Sequence, residues 1–281
     1  MSVSEVYAPS VPREWGRIVV ADGVEIAYAE RGSGPPLVLV PGWTMSGEVF
    51  EHQLTELASS FRVITFDPRS HGRSTVTAEG NSYPQQGRDL VAVLDALGLT
   101  GVHLAGWSYG ALACYAAIEQ AGSERLRSVT IIDMTPRPLG TGAGGEWSGA
   151  DLNEFLDGFV APVVADPEAF AAEWVAWLLD RAPEPAEQRW LTALHLATPR
   201  HVAQSLLVSA MFSDYSDLAR SLNSTIPFAN AVRRDWLDQA EPWLSAHAPD
   251  AVLWEIPSHV GFWDSPLDFN ERLTKFLSSG R

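Results

Sequence analysis

Short runs of aliphatic and β-branched residues alternate with longer stretches of helical period through the first half of the chain. Residues 16–20 and 25–30 read as two strands joined at Ala21-Asp22-Gly23, a hairpin. Residues 37–40 form a brief apolar run ending at Pro41-Gly42, the signature of a buried parallel strand. Residues 49–57 then place Val49, Phe50, Leu54 and Leu57 at helical spacing. A strand at 62–66, a helix at 83–97, a strand at 102–105, a helix at 111–121 and a strand at 129–132 continue the alternation. Alternation at this spacing predicts a parallel sheet covered by helices on both faces.

From about residue 139 to 224 no strand-like run occurs. Amphipathic segments replace it, with Phe170, Trp174, Trp177 and Leu178 on one helical stripe. The glycine-rich stretch LGTGAGGEWSG precedes them and reads as a flexible connection. Strand-like and helical runs resume at 227–232, 237–246, 252–256 and 266–277, which brings the expected strands to eight. The reading is a core of residues 1–138 and 225–281 interrupted by a helical cap, residues 139–224.

Composition narrows the function. A net charge of −16 excludes non-specific nucleic-acid binding, because phosphates would be repelled. No run reaches the length a membrane-spanning helix needs. The first residues carry neither a basic patch nor an apolar run, so no secretory signal is expected and a cytoplasmic location is. The single cysteine, Cys114, sits in an apolar helical stretch and reads as a core thiol. The seven histidines show no metal-binding spacing, so neither metal nor other cofactor is expected.

Gly106-Trp107-Ser108-Tyr109-Gly110 follows a strand and opens a helix, the context a G-x-S-x-G nucleophile elbow requires. A sharp strand-to-helix turn strains the serine backbone, lifts its hydroxyl off the sheet and tolerates only small residues two positions either side. Ser108 needs a base, and His259, just past the last expected strand, is the candidate. Asp133 and Asp235 compete to orient that imidazole, since both end strands at the edge where open α/β sheets place their sites. Asp235 follows two arginines and reads as a solvated ion pair, so Asp133 is favoured. The amides of Trp43 and Tyr109 occupy the positions of an oxyanion hole. Trp43, Trp107, Trp147 and Trp177 are the candidate substrate contacts, the tryptophans of the cap serving either an apolar or aromatic pocket or the packing of the cap on the core. A homodimer contact is a further use for an exposed tryptophan face.

Together the elbow, the Pro41-Gly42-Trp43 loop, the turn Asp67-Pro68-Arg69-Ser70-His71-Gly72-Arg73-Ser74 and the late His259 resemble the α/β-hydrolase superfamily. That resemblance implies an α/β-hydrolase fold with a mostly parallel eight-stranded sheet, helices on both faces and a helical cap. It also implies a mainly structural role for the 67–74 turn, in which Ser70 replaces the usual glycine. Residues 41–133 are similar to the cofactor-independent hydroxyquinolone dioxygenases, whose acid falls at the Asp133 position. Those enzymes carry histidines where this chain has Met45 and Trp107.

The expected activity is hydrolysis of a small ester or lactone through an acyl-serine on Ser108, with a small-molecule substrate and neither nucleic acid nor membrane as partner. The alternatives are a cofactor-free dioxygenase of a hydroxyquinolone-type heteroaromatic, in which Ser108 only hydrogen-bonds the substrate, a haloperoxidase-like perhydrolase and a C–C bond hydrolase. A non-catalytic ligand receptor is the reading from a different class; it has no need of nucleophile, base and acid together.

Overall fold

The computed structural model describes residues 13–142 and 146–279. Its strands are β1 (Trp15–Val19), β2 (Glu25–Arg31), β3 (Pro36–Val40), β4 (Arg62–Phe66), β5 (Val102–Trp107), β6 (Leu126–Ile132), β7 (Arg137–Leu139), β8 (Ser148–Ala150), β9 (Phe228–Arg233) and β10 (Val252–Ile256). Eight of them form one sheet in the order β1-β2-β4-β3-β5-β6-β9-β10. The β1–β2 and β2–β4 pairs are antiparallel, and the other pairs are parallel. The expected strands and register of alternation are all present.

Period-two alternation sends successive side chains to opposite faces, and the two faces carry separate cores. Val38, Val40, Ile64, Leu104 and Ile131 belong to one, with Leu90 and Val93 of α2 (Tyr83–Ala96) and Leu112 and Tyr115 of α3 (Gly110–Ala121). Leu37, Leu39, Val63, Ala105 and Ile132 belong to the other. The second core also takes Leu54 of α1 (Glu51–Glu56), Phe262 of α11 (Gly261–Asp264) and Phe269 and Leu273 of α12 (Pro266–Ser278). Strands buried on both faces read as continuous apolar runs, which is why their positions were visible in the chain.

Between β6 and β9 lie α4 (Leu152–Phe155), α5 (Ala161–Ala165), α6 (Pro167–Leu178), α7 (Pro185–Ala197), α8 (Arg200–Met211) and α9 (Ser216–Leu222); α10 (Leu237–His247) follows β9. Two departures from expectation occur, one around this segment and one after β3. The stretch expected to lack strands contains β8 and the end of β7, paired in parallel as Arg137↔Ser148 and Leu139↔Ala150. Side-chain contacts hold that pair where apolar patterning does not: Arg137 bonds Glu146 at 3.0 Å, and Thr135 Oγ1 donates to the carbonyl of Trp147. The glycine-rich connection is thus paired on both flanks, while its residues 143–145 lie outside the described residues. The expected helix at 49–57 is split, with a 3-10 turn over Gly47–Phe50 leading into α1.

The 67–74 turn braces the edge of the sheet where the site lies. Asp67, fully buried, accepts from the backbone of Gly47 at 2.9 Å and of Arg73 at 2.7 Å. Arg69 makes a bidentate pair with Asp89 of α2, both bonds 2.7 Å. Ser70 adopts φ +64°, the left-handed region in which glycine is favoured, and its Oγ accepts from the Thr77 backbone at 3.0 Å.

Candidate active site

β5 runs to Trp107 and α3 starts at Gly110, leaving Ser108 on the turn between them. Its φ is +52°, and its N–H donates to the carbonyl of Ile132 at 2.8 Å, so the β5–β6 ladder holds the strained residue in place. Both flanking glycines are required by close approach. A Cβ on Gly106 would stand 2.7 Å from Cys114 Sγ, and one on Gly110 would stand 2.4 Å from the carbonyl of Pro41.

The residue after β6, Asp133, has a second left-handed backbone, φ +48°. Its N–H donates to the carbonyl of Ala231 at 2.7 Å, and its Oδ1 accepts from the backbone of Arg233 at 2.9 Å. That fixes the carboxylate from both sides, and its Oδ2 accepts from His259 Nδ1 at 2.6 Å. With Nδ1 donating, Nε2 of His259 is the acceptor for the Ser108 hydroxyl, 2.9 Å away. Trp107 Nε1 donates to the carbonyl of His259 at 2.7 Å and anchors the loop after β10. Asp133, His259 and Ser108 are 0%, 4% and 6% exposed. Burial lowers the His259 pKa below its ordinary 6.5 more than Asp133 raises it, and the Arg233 charge lowers it too. The imidazole is therefore neutral and able to accept a proton at neutral pH.

The loop after β3 closes on the same point. A Cβ on Gly42 would lie 2.9 Å from Ser108 Cβ, so glycine permits this approach. Neither the Trp43 nor the Tyr109 backbone N–H has an acceptor among the described residues. Thr44 takes φ +62°. Its hydroxyl donates to the carbonyl of Trp43 at 2.5 Å and accepts from Nδ1 of the buried His195 at 2.6 Å. Trp43 Nε1 donates to the carbonyl of Ala203 at 2.9 Å, so α8 shares in holding this loop.

Ser108, His259, Trp43 and Tyr109 open on a cavity of about 470 Å³. Phe155, Phe159, Phe170, Trp174 and Trp177, from the segment between β6 and β9, supply most of its aromatic wall. Trp236 and Arg233 complete another side.

Residues 35–173 match the family model described as alpha/beta hydrolase fold. The chain belongs to the α/β-hydrolase superfamily. It is 32% identical over 154 residues to a non-heme haloperoxidase from Rhodococcus erythropolis, covering 54% of this chain and 56% of the relative. It spans about half the length of the curated relatives it matches. An esterase from Exiguobacterium antarcticum superposes with a TM-score of 0.85 over 94% of this chain and 99% of the other at 21% identity. An esterase from Rhodococcus sp. ECU1013 gives a TM-score of 0.80 over 95% of this chain and 99% of the other at 25% identity.

Within this α/β-hydrolase the sequence candidates divide. Ser108, His259 and Asp133 form one hydrogen-bonded chain, and Trp43 and Trp177 line the cavity beside them. Asp235 lies outside that chain: it is exposed on the 3-10 turn Arg234–Trp236. Two substrate-contact candidates are corrected. Trp107 is a β5 residue on the opposite side of Ser108, packed on Phe262 at 5.1 Å and bonded to the His259 carbonyl. Trp147 is buried against Trp243 at 5.9 Å, away from the cavity. Trp236, Arg233 and His195 were not singled out as site residues, whereas Trp174, one of the cap tryptophans expected to serve a pocket or packing, lines the cavity. Trp174 was readable from its place on the Phe170–Trp177 stripe; His195 was not, because its partner Thr44 is 151 positions away.

Proposed function

We propose that this chain is a serine hydrolase that cleaves a small carboxylic ester or lactone through an acyl-serine on Ser108. His259 takes the Ser108 proton as the oxygen attacks the carbonyl carbon, and Asp133 stabilises the imidazolium that forms. The Trp43 and Tyr109 amides receive the oxyanion, each contributing roughly 3–4 kcal/mol to transition-state stabilisation. His259 returns the proton to the leaving alcohol, then deprotonates the water that releases the acid. The observation that carries this reading is the unbroken Ser108–His259–Asp133 chain at the floor of the aromatic cavity. Residues 139–224 are read as a cap that supplies the cavity wall, which favours an apolar or aromatic acyl or alcohol group. The cytoplasm is the proposed location.

A second reading has one supporting observation, the similarity to a non-heme haloperoxidase. If hydrogen peroxide replaces water at the acyl-serine, the product is a peracid and Ser108 is regenerated. The dioxygenase reading has weaker support, since Met45 is fully buried and Trp107 is turned away from the cavity.

The test is intact-protein mass after treatment with a fluorophosphonate, on wild type and Ser108→Ala. The expected result is a single adduct on wild type and none on the variant, followed by turnover of short-chain esters. Absence of an adduct on folded wild type overturns the proposal. Peracid formed on adding peroxide to an ester reaction identifies the second reading.

A further inference from the structure

The cavity holds one cation for which the mechanism above has no direct use. Arg233 ends β9, lines the cavity with Ser108 and His259, and its side chain is 14% exposed. Its guanidinium is clamped between two indoles, 4.3 Å from the Trp177 ring centroid and 4.5 Å from that of Trp236. Cation–π contact with both rings holds the group in place and leaves its N–H groups for hydrogen bonding. Of these, Nε has no hydrogen-bond partner. The nearest carboxylate oxygen, Asp133 Oδ2, stands 3.6 Å from Nε and already accepts from His259.

The guanidinium is largely buried and its ion pair with Asp133, at 3.6 Å, falls short of a hydrogen bond, so a second charged acceptor would offset part of its desolvation cost. The other charged residue on the cavity lining, Glu173, is exposed and makes no ion pair with Arg233. Asp235, next in the chain, is exposed as well. A planar fork on the cavity lining beside a nucleophile, with Asp133 as its one ion-pair partner, matches one further ligand group best, a carboxylate taken edge-on.

We infer that Arg233 is a specificity residue, and that the preferred substrates are esters or lactones carrying a second, free carboxylate that seats on its guanidinium edge. This rests on the serine-hydrolase reading and narrows its substrate class. The carboxylate has two sources, the acyl part (a half-ester of a dicarboxylic acid) or the alcohol part (an ester of a hydroxy acid). In either case the Trp177 and Trp236 rings hold the fork while the cavity's aromatic wall takes the carbon skeleton.

The experiment compares kcat/KM for matched pairs: monomethyl glutarate against dimethyl glutarate, and para-acetoxybenzoate against para-acetoxybenzamide. Wild type is expected to favour the anionic member of one pair, and which pair responds identifies the source. Charge-assisted bonds of this kind correspond to about tenfold to a hundredfold in that ratio. Arg233→Gln is expected to remove the preference, and Arg233→Lys to restore part of it. A ratio that Arg233→Gln leaves unchanged, with both members slowed alike, assigns Arg233 a merely structural or Asp133-positioning role and overturns the inference. So does a wild-type preference for the neutral member in both pairs. Calorimetric titration of Ser108→Ala with glutarate and with benzoate tests the same contact without turnover. Binding is expected to weaken by about tenfold or more when Arg233→Gln is added, and equal affinity in the two proteins overturns the inference. Fluorophosphonate labelling that succeeds while both ratios stay flat rejects this inference and leaves the hydrolase reading standing.

Discussion

The sheet edge that carries Ser108, Asp133 and Arg233 and the helical segment from β7 to α9 meet at one cavity but are held by different forces. At the sheet edge, strained backbones at Ser108 and Asp133 are each fixed by a ladder-type bond from a neighbouring strand, 2.8 Å to Ile132 and 2.7 Å to Ala231. The helical segment instead meets the cavity through stacked and edge-on rings, such as Phe170 with Trp174 at 6.1 Å and Trp174 with Trp177 at 4.7 Å. Its polar ties to the rest of the fold include Trp43 Nε1 to Ala203, Thr198 Oγ1 to Thr44 and Trp263 Nε1 to Glu187. Hydrogen bonds are directional and hold a nucleophile to its base. Ring contacts are tolerant, so that wall is where a substrate preference can vary without loss of the chemistry.

The largest expected effect separates the two carboxylates. Asp133→Asn is expected to lower kcat by about four orders of magnitude, because the amide supports the wrong imidazole tautomer. Asp235→Asn should stay within about twofold, the scale of surface substitutions. Comparable losses in the two variants would break the account of which edge residue serves His259.

The next effect divides the aromatic segment itself. Trp147→Ala removes a ring buried against Trp243 and is expected to cost about 3–5 kcal/mol of stability by chemical denaturation, with KM little changed. Trp174→Ala, on the cavity wall, should raise KM for aromatic esters by about three- to tenfold. Reversed outcomes would mean that Trp147, not Trp174, faces substrate.

Acidity gives a smaller, signed effect. His259 must be neutral to act, and its pKa lies below 6.5, so kcat/KM is expected to hold down past pH 6.5 and fall only below it. Arg233→Gln removes a charge that disfavours the imidazolium and should move this acid limb upward. Stability has its own profile. His71, His103 and His195 are pushed down to about 4 by burial, so their contribution is full above pH 6.5 and is lost as pH falls through about 4. Asp67, pushed up to about 6, works the opposite way between about 6 and 3.8, one proton against three. Thermal melts from pH 7 to 4 should therefore show a net loss. The smallest expected change is Ser70→Gly: relief of about 1 kcal/mol of left-handed strain is offset by losing a bond worth about 1 kcal/mol. A melting shift larger than about 4 °C would show that one of the two dominates.

Every strand of the main sheet was legible in the chain, and so were the elbow and the position of His259, because apolar period and turn chemistry are local properties. Two residues at the site were not, Trp107 and Arg233, and the acid was only a preference. Asp133 was favoured over Asp235 because two arginines precede the latter, but both follow strands, and the β6–β9 pairing is what shows Asp133 facing His259. Trp107 stands next to the nucleophile in sequence, yet alternation along β5 turns it to the other core. Arg233 read as half of a solvated pair with Asp235, whereas the fold clamps it between Trp177 of α6 and Trp236. The sequence by itself determined the α/β-hydrolase fold, the strained serine and the helical interruption, since these follow from spacing along one backbone. That Asp133 and not Asp235 serves the histidine, which tryptophans line the cavity and that Arg233 lies on its lining were decided by the tertiary structure. Those depend on directions in space between residues more than a hundred positions apart, as with Asp133 and His259.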